Sequence, residues 1–283
     1  MVDSAASGGK LLAISDLHVG HAENRALVAE MRPESPQDWL LVAGDVGETV
    51  AHVEWALRLL SRRFARVVWV PGNHELWTPP GDPVQLRGEE RYRHLVEVCR
   101  QLGVVTPEDP YPVWAGPDGP VRVAPLFLLY DYSFLDPQWP TPEVALKRAY
   151  EQGIVCTDEF LLHPDPYPDR AAWCHARVEQ TARRLAEESP ELPTVLVNHW
   201  PMVRQPTEIL RFPIFAQWCG TTRTADWHLR YRASVSVYGH LHIPRTTYHD
   251  EVRFEEVSVG YPREWRRRSR PPGQLRQILP APA

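Results

Sequence analysis

Lysine is almost missing from this chain. Lys10 and Lys147 are the only two among 31 basic residues, so arginine carries nearly all the positive charge. Guanidinium groups suit bidentate contacts to phosphate or carboxylate, although a bias in base composition would give the same pattern. With 36 acidic residues and a net charge of −5, the chain is a poor fit to a protein that coats nucleic acid or an anionic membrane. No apolar run approaches the length of a membrane span. The opening M-V-D-S-A-A-S-G-G-K lacks an apolar core, so no signal peptide is expected. Cys99, Cys156, Cys174 and Cys219 form no C-x-x-C pair, which argues against a zinc ribbon or a thioredoxin site. Buried free thiols in a reducing compartment are expected instead, and the chain reads as cytoplasmic. Internal repeats and low-complexity segments are also absent.

The 283 residues are 43% apolar and 24% charged, enough to build a sizeable core. Short apolar runs recur and each ends in polar residues: L-L-A-I-S-D-L-H (11–18), W-L-L-V-A-G-D-V (39–46), V-V-W-V-P-G-N-H (67–74), V-R-V-A-P-L-F (121–127), T-V-L-V-N-H-W (194–200) and S-V-S-V-Y-G-H-L-H (234–242). Such continuous runs predict strands buried on both faces. Helical stripes lie between them at 48–63, 89–102 and 170–188, and the alternation predicts a layered α/β fold. Two stretches break the pattern. Residues 128–169 hold six prolines around a helical piece near 143–152, which predicts a stiff ordered insertion. Residues 200–232 are rich in arginine and aromatics and link two motif-bearing strands, so they are expected to overhang the site.

His240 and His242 follow a strand and a glycine. In an extended backbone residues two apart point to the same side, so this pair is expected to reach a common centre. One H-x-H is weak evidence, but five strand ends carry ligand types: Asp16 with His18, Asp45, Asn73 with His74, His199, and His240 with His242. Strand C-terminal ends form the ligand crevice of an open α/β sheet. The donors are nitrogen and oxygen without thiolate, which points to manganese, iron or zinc. Asp16, His18, Asp45 and His242 suffice for one ion; Asn73, His199, His240 and the second oxygen of Asp45 can hold another. A carboxylate can bridge two cations, which makes Asp45 the expected bridge. Gly44, Gly72 and Gly239 precede ligands and are read as sharp turns. Glu75 is expected to serve hydrogen bonding, and His21 to be a solvated loop histidine.

The set D-L-H, G-D-V, G-N-H-E, N-H and G-H-L-H, over residues 11–242, resembles the calcineurin-like binuclear metallophosphoesterase superfamily. The resemblance implies a four-layer α/β/β/α sandwich with ligands on loops at strand C-terminal ends, two divalent or trivalent ions, and phosphate ester hydrolysis. It also implies that His74 donates a proton to the leaving group or stabilises phosphoryl charge. Further stretches, V-P-G-N-H-E-L-W, F-L-L-Y-D-Y-S-F, T-D-E-F-L-L, W-C-G-T-T-R-T-A-D-W-H and R-F-E-E-V-S-V-G-Y-P-R-E-W-R-R-R, resemble the actinobacterial 4′-phosphopantetheinyl hydrolases. These remove the phosphopantetheine arm from holo acyl carrier proteins, which implies attack on phosphorus by a hydroxide shared between two metals. On this reading Arg204, Arg211, Arg223 and Trp218 are candidate contacts to the arm or to the carrier's acidic surface. The basic run Arg263 to Arg270 is a candidate steering patch, or simply solvated. The domain plan is one domain over 10–262, with the insertion and the overhang, followed by a basic extension over 263–283. A small-molecule phosphodiesterase, acting for example on cyclic nucleotides, would use the same metals. A nuclease lacks a basic track here, and a non-catalytic scaffold would be expected to have lost ligands.

Overall fold

The computed structural model describes residues 9–269 and 271–282. The polar start up to residue 8 and Arg270 of the basic run lie outside those residues. In chain order the first half comprises β1 (Leu11–Ile14), α1 (Ala22–Glu30), β2 (Trp39–Val42), α2 (Val50–Ser61), β3 (Arg66–Trp69), α3 (Asn73–Leu76), α4 (Gly88–Gln101), β4 (Val113–Gly116) and β5 (Gly119–Pro125). The second half comprises α5 (Pro142–Glu151), α6 (Asp158–Leu161), α7 (Arg170–Glu187), β6 (Thr194–Val197), α8 (Trp227–Arg230), β7 (Ala233–Tyr238), β8 (Arg245–His249), β9 (Val252–Glu256), α9 (Pro262–Trp265) and β10 (Arg276–Leu279).

Two sheets form, ordered β10-β1-β2-β3 and β4-β5-β6-β7-β9-β8. Alternate residues explain why. Leu11, Ala13, Leu41, Ala43, Val68 and Val70 share one core with Val123, Val195, Val197, Val235 and Val237, sheet against sheet. Their neighbours Leu12, Ile14, Leu40, Val42, Val67 and Trp69 join a second core with Val53, Leu57 and Leu60 of α2. Strands β1, β2 and β3 are therefore apolar on both faces, and the stack is the expected four-layer α/β/β/α sandwich. Caps set the helix starts: Thr49 accepts from His52 N–H ahead of α2, and Asp169 from Ala172 N–H ahead of α7. All four cysteines are free and buried.

Three details differ from expectation. The strands stop two or more residues before their ligands, β1 at Ile14 and β7 at Tyr238, so the ligands sit on loops. Strands β4, β8, β9 and β10 and helix α1 were not foreseen, because edge strands and amphipathic pieces with few apolar residues leave a faint pattern. The tail is not a mere extension either. β10 pairs antiparallel with β1, matching Leu11 to Leu279, and buries Ile278 between the sheets. One inward side chain is enough to dock an edge strand, too little to mark it in sequence.

Candidate metal centre

The loops beyond the strands hold Asp16, His18, Asp45, His240 and His242 at φ between 40° and 70°. That is left-handed backbone for non-glycine residues, costing on the order of 1 kcal/mol or more each and held only by surrounding structure. The extended geometry expected for His240 and His242 is therefore replaced by two left-handed turns, and the two rings part to different groups. The loops restrain one another: Asp16 N–H donates to Gly44 O (2.9 Å), His18 N–H to Asp45 O (3.0 Å) and Gly239 N–H to His199 O (2.9 Å). Of the three glycines read as turns, Gly44 alone has positive φ, at 85°. Gly72 and Gly239 are there for space, since a Cβ would lie 2.1 Å from Asp45 Oδ1 and 2.2 Å from Asp16 Oδ2 respectively.

Two groups of donors result. In the first, Asp16 Oδ1 lies 3.0 Å from His242 Nε2, which lies 3.2 Å from His18 Nε2. In the second, Asn73 Oδ1 lies 3.1 Å from His199 Nε2 and 3.2 Å from His240 Nδ1. Asp45 Oδ2 stands between them, 3.9 Å from His18 Nε2 and 3.5 Å from His199 Nε2. Its other oxygen, Oδ1, accepts the His74 N–H at 3.0 Å, so Oδ2 is the oxygen that stands nearest both groups. Asp16 divides its labour alike, with Oδ2 taking the Ser15 and Ser258 hydroxyls at 2.6 and 2.7 Å.

These residues fit a pair of cations. Ala43 O, 2.8 Å from His199 Nδ1, and Glu264 Oε2, 2.7 Å from His242 Nδ1, hold the ring protons on those nitrogens and leave Nε2 as a lone pair. His199 Nε2 then faces His240 Nδ1 at 3.2 Å, a crowding of ring nitrogens that a cation relieves. Burial pushes His18 down to about 4 and lowers His199 and His240 as well, which favours the neutral ligand form; it also lowers His74, where Glu48 pulls the other way and favours the protonated ring. On His242 burial is outweighed by Asp16 and Glu264, and its pKa is pushed up to about 10, so without a cation Nε2 carries a proton toward Asp16 and a cation has to displace that proton to gain the lone pair. Burial, with Asp16 and Glu75 nearby, raises Asp45. Among the described residues only histidines pair with Asp16 and Asp45: His242, with its raised pKa, can supply counter-charge to Asp16, whereas His18, His74 and His199, with theirs lowered, leave Asp45 without any.

Several supporting residues escaped the sequence reading. Glu48 Oε1 is 3.4 Å from both His18 Nδ1 and His74 Nδ1, a carboxylate beside two rings at once. Tyr261 stacks on His18 with ring centroids 4.4 Å apart, and its hydroxyl is 3.4 Å from His74 Nε2. Glu48 stands three residues after Asp45, a spacing that could have marked it; Tyr261 and Glu264 stand in the G-Y-P-R-E-W part of a stretch that carried the resemblance, though nothing in their spacing tied them to the ligands. Glu75 acts as expected: Oε2 accepts from Asp45 and Gly72 N–H (both 2.9 Å) and Oε1 from Val46 N–H (2.6 Å). Removing it in Glu75→Ala strands three buried donors, so stability is expected to fall by roughly 3 kcal/mol or more in a denaturant melt. A drop under about 1 kcal/mol would mean that the loop finds other partners.

The proposed substrate contacts are less uniform. Arg211 is exposed beside Phe212, Arg223 Nε is 3.9 Å from Asp131, and Arg204 Nη2 is 4.0 Å from Asp136. Trp218 is fully buried and donates to Glu159 Oε1 at 2.8 Å, so it is part of the wall and touches no ligand directly. Phe215, half-buried, stacks on His240 with centroids 6.1 Å apart and is the aromatic of the overhang that faces the centre.

Residues 9–244 match the calcineurin-like phosphoesterase family. The chain belongs to that family. This calcineurin-like phosphoesterase is 58% identical over 272 residues to the acyl-carrier-protein phosphodiesterase PptH of Mycobacterium tuberculosis, covering 96% of this chain and 84% of that protein. It is also similar to the crystal structure of phosphopantetheinyl hydrolase from the same organism, with a TM-score of 0.95, 57% identity and 98% of each chain covered. It is a metal-dependent phosphoric ester hydrolase. Among the described residues no helix is long and apolar enough to cross a membrane.

Proposed function

We propose that this enzyme hydrolyses the phosphodiester joining 4′-phosphopantetheine to a serine of holo acyl carrier proteins. The observation that carries the reading is 58% identity, over 96% of the chain, to an acyl-carrier-protein phosphodiesterase. Asp16, His18, Asp45 and His242 would hold one cation, and Asn73, His199, His240 and Asp45 the other. When bound, such cations lower the pKa of water and neutralise phosphoryl charge; manganese and iron suit the mixed oxygen and nitrogen donors, and zinc remains chemically compatible.

The chain's own groups do the rest. Water oxygen bonds to phosphorus and releases a proton, the phosphorus bond to the serine oxygen breaks, and His74 in its protonated form delivers a proton to that oxygen, its own being restored by the one the water released. Glu48 holds the His74 ring from its Nδ1 side and Trp77 packs against its face, with centroids 3.7 Å apart. Apo carrier protein and 4′-phosphopantetheine leave. Arg204, Arg211 and Arg223 present guanidinium groups on the overhang, suited to an acidic carrier surface. Net charge −5 disfavours nucleic acid as partner. Free cysteines throughout favour the cytoplasm.

The test is the intact mass of a holo carrier protein after incubation with manganese-loaded enzyme. The expected result is loss of the whole phosphopantetheine arm. An unchanged mass, from a preparation that still cleaves an aryl phosphodiester, would return the substrate to small diesters.

A further inference from the structure

Asn73 differs from the other ligand candidates because an amide has two unlike ends. Only one of its two flips offers oxygen to a cation; the other offers NH₂. In the structure Oδ1 faces His199 Nε2 and His240 Nδ1 at 3.1 and 3.2 Å, while Nδ2 donates to Asp158 Oδ1 at 2.9 Å. Asp158 is fully buried, and the same Oδ1 accepts from Trp77 Nε1 at 2.7 Å. Its backbone oxygen accepts from Arg170 Nη2 at 2.6 Å. Next to it, Glu159 accepts from Trp218 Nε1 and pairs with Arg170 at 3.0 Å. The acceptor opposite Asn73 is thus braced from the insertion and from the overhang together.

We propose that Asp158, supplied by the 128–169 insertion, is a positioning residue that locks the Asn73 amide with its oxygen toward His199 and His240, and so sets the affinity of the second cation site. The proposal rests on the reading of the two donor groups as metal ligands, and deepens it. A carboxylate has only acceptors to offer, so it binds the NH₂ end alone. The reversed amide would set oxygen against oxygen at Asp158 and NH₂ against a cation, two repulsions at once. An asparagine at 158 would serve as well, because the Trp77 Nε1–H at the shared oxygen pins which end faces Asn73.

Metal-free wild type, Asp158→Asn and Asp158→Ser are titrated with Mn²⁺, counting bound ions from the spin-resonance signal of the free ion. Wild type and Asp158→Asn are expected to take two ions with similar affinities. Asp158→Ser, too short to reach Asn73, is expected to keep the first and bind the second about 10–100-fold more weakly. Thermal melts of the metal-free proteins separate this from a structural role, in which Asp158→Ser melts earlier yet binds both ions like wild type; that result would overturn the proposal. A wild type that takes only one ion would overturn the two-group reading and the proposal with it. Should Asp158→Ser not fold, Asp158→Asn is compared with Asp158→Asn/Trp77→Phe, which removes the pinning proton and keeps an aromatic ring beneath His74. A weaker second ion in the double variant alone supports the proposal, and equal binding in both refutes it.

Discussion

Asp45→Asn is expected to lower phosphodiester hydrolysis by about 10³-fold or more, about 4 kcal/mol in the barrier. The reason lies in one atom. Asp45 Oδ2 faces both donor groups, 3.9 Å from His18 and 3.5 Å from His199. Oδ1 is already committed to the His74 N–H. An asparagine can reproduce only one of these faces. If its oxygen turns to the ligands, NH₂ meets the His74 N–H, donor against donor; if it turns the other way, NH₂ enters the metal groups. Metal content separates the two consequences. Fewer than two ions per chain would show that the bridge is needed for loading, and two ions with low activity would show that charge on the bridge is needed for the reaction. Activity within tenfold of wild type would remove Asp45 from the centre of the mechanism.

His74→Asn is expected to act differently, with an effect that depends on the leaving group. A general acid contributes about 10²–10⁴-fold where the departing oxygen is a poor leaving group, as the serine alkoxide is. A nitrophenolate leaves without protonation, so on an aryl phosphodiester the same variant should lose far less. The geometry supports an acid held in place: Nδ1 lies 3.4 Å from Glu48, Nε2 lies 3.7 Å from Asp45 Oδ2, and the ring is packed against Trp77. Equal losses on both substrates would reassign His74 to stabilising phosphoryl charge. Asparagine also keeps the backbone N–H that Asp45 Oδ1 needs, so this variant leaves the bridge intact.

The layers and the candidate ligands were legible along the chain because both are local. A strand buried on two faces must be apolar at successive positions, and a ligand at its end must be Asp, Asn or His; L-L-A-I-S-D-L-H states both within eight residues. The match of five such ends to two cations needed no geometry, and the four-layer stack followed from it by family resemblance. Edge strand β10 had no comparable signature, because Ile278 alone turns into the core.

Tertiary structure decided how the ligands are held. The division of His242 and His240 between two groups was expected, but an extended backbone was expected to deliver it, and left-handed turns do so instead. Glu264, Glu48 and Asp158 fix the rings and the amide from other segments; Asp158 stands 85 residues from Asn73. Trp218 looked like a contact for substrate and is wall, while Phe215, three residues earlier, faces His240. The physical reason is the same in each case. A donor's identity is a property of one residue, readable where it stands, whereas its orientation is set by hydrogen bonds and packing that exist only once distant segments meet.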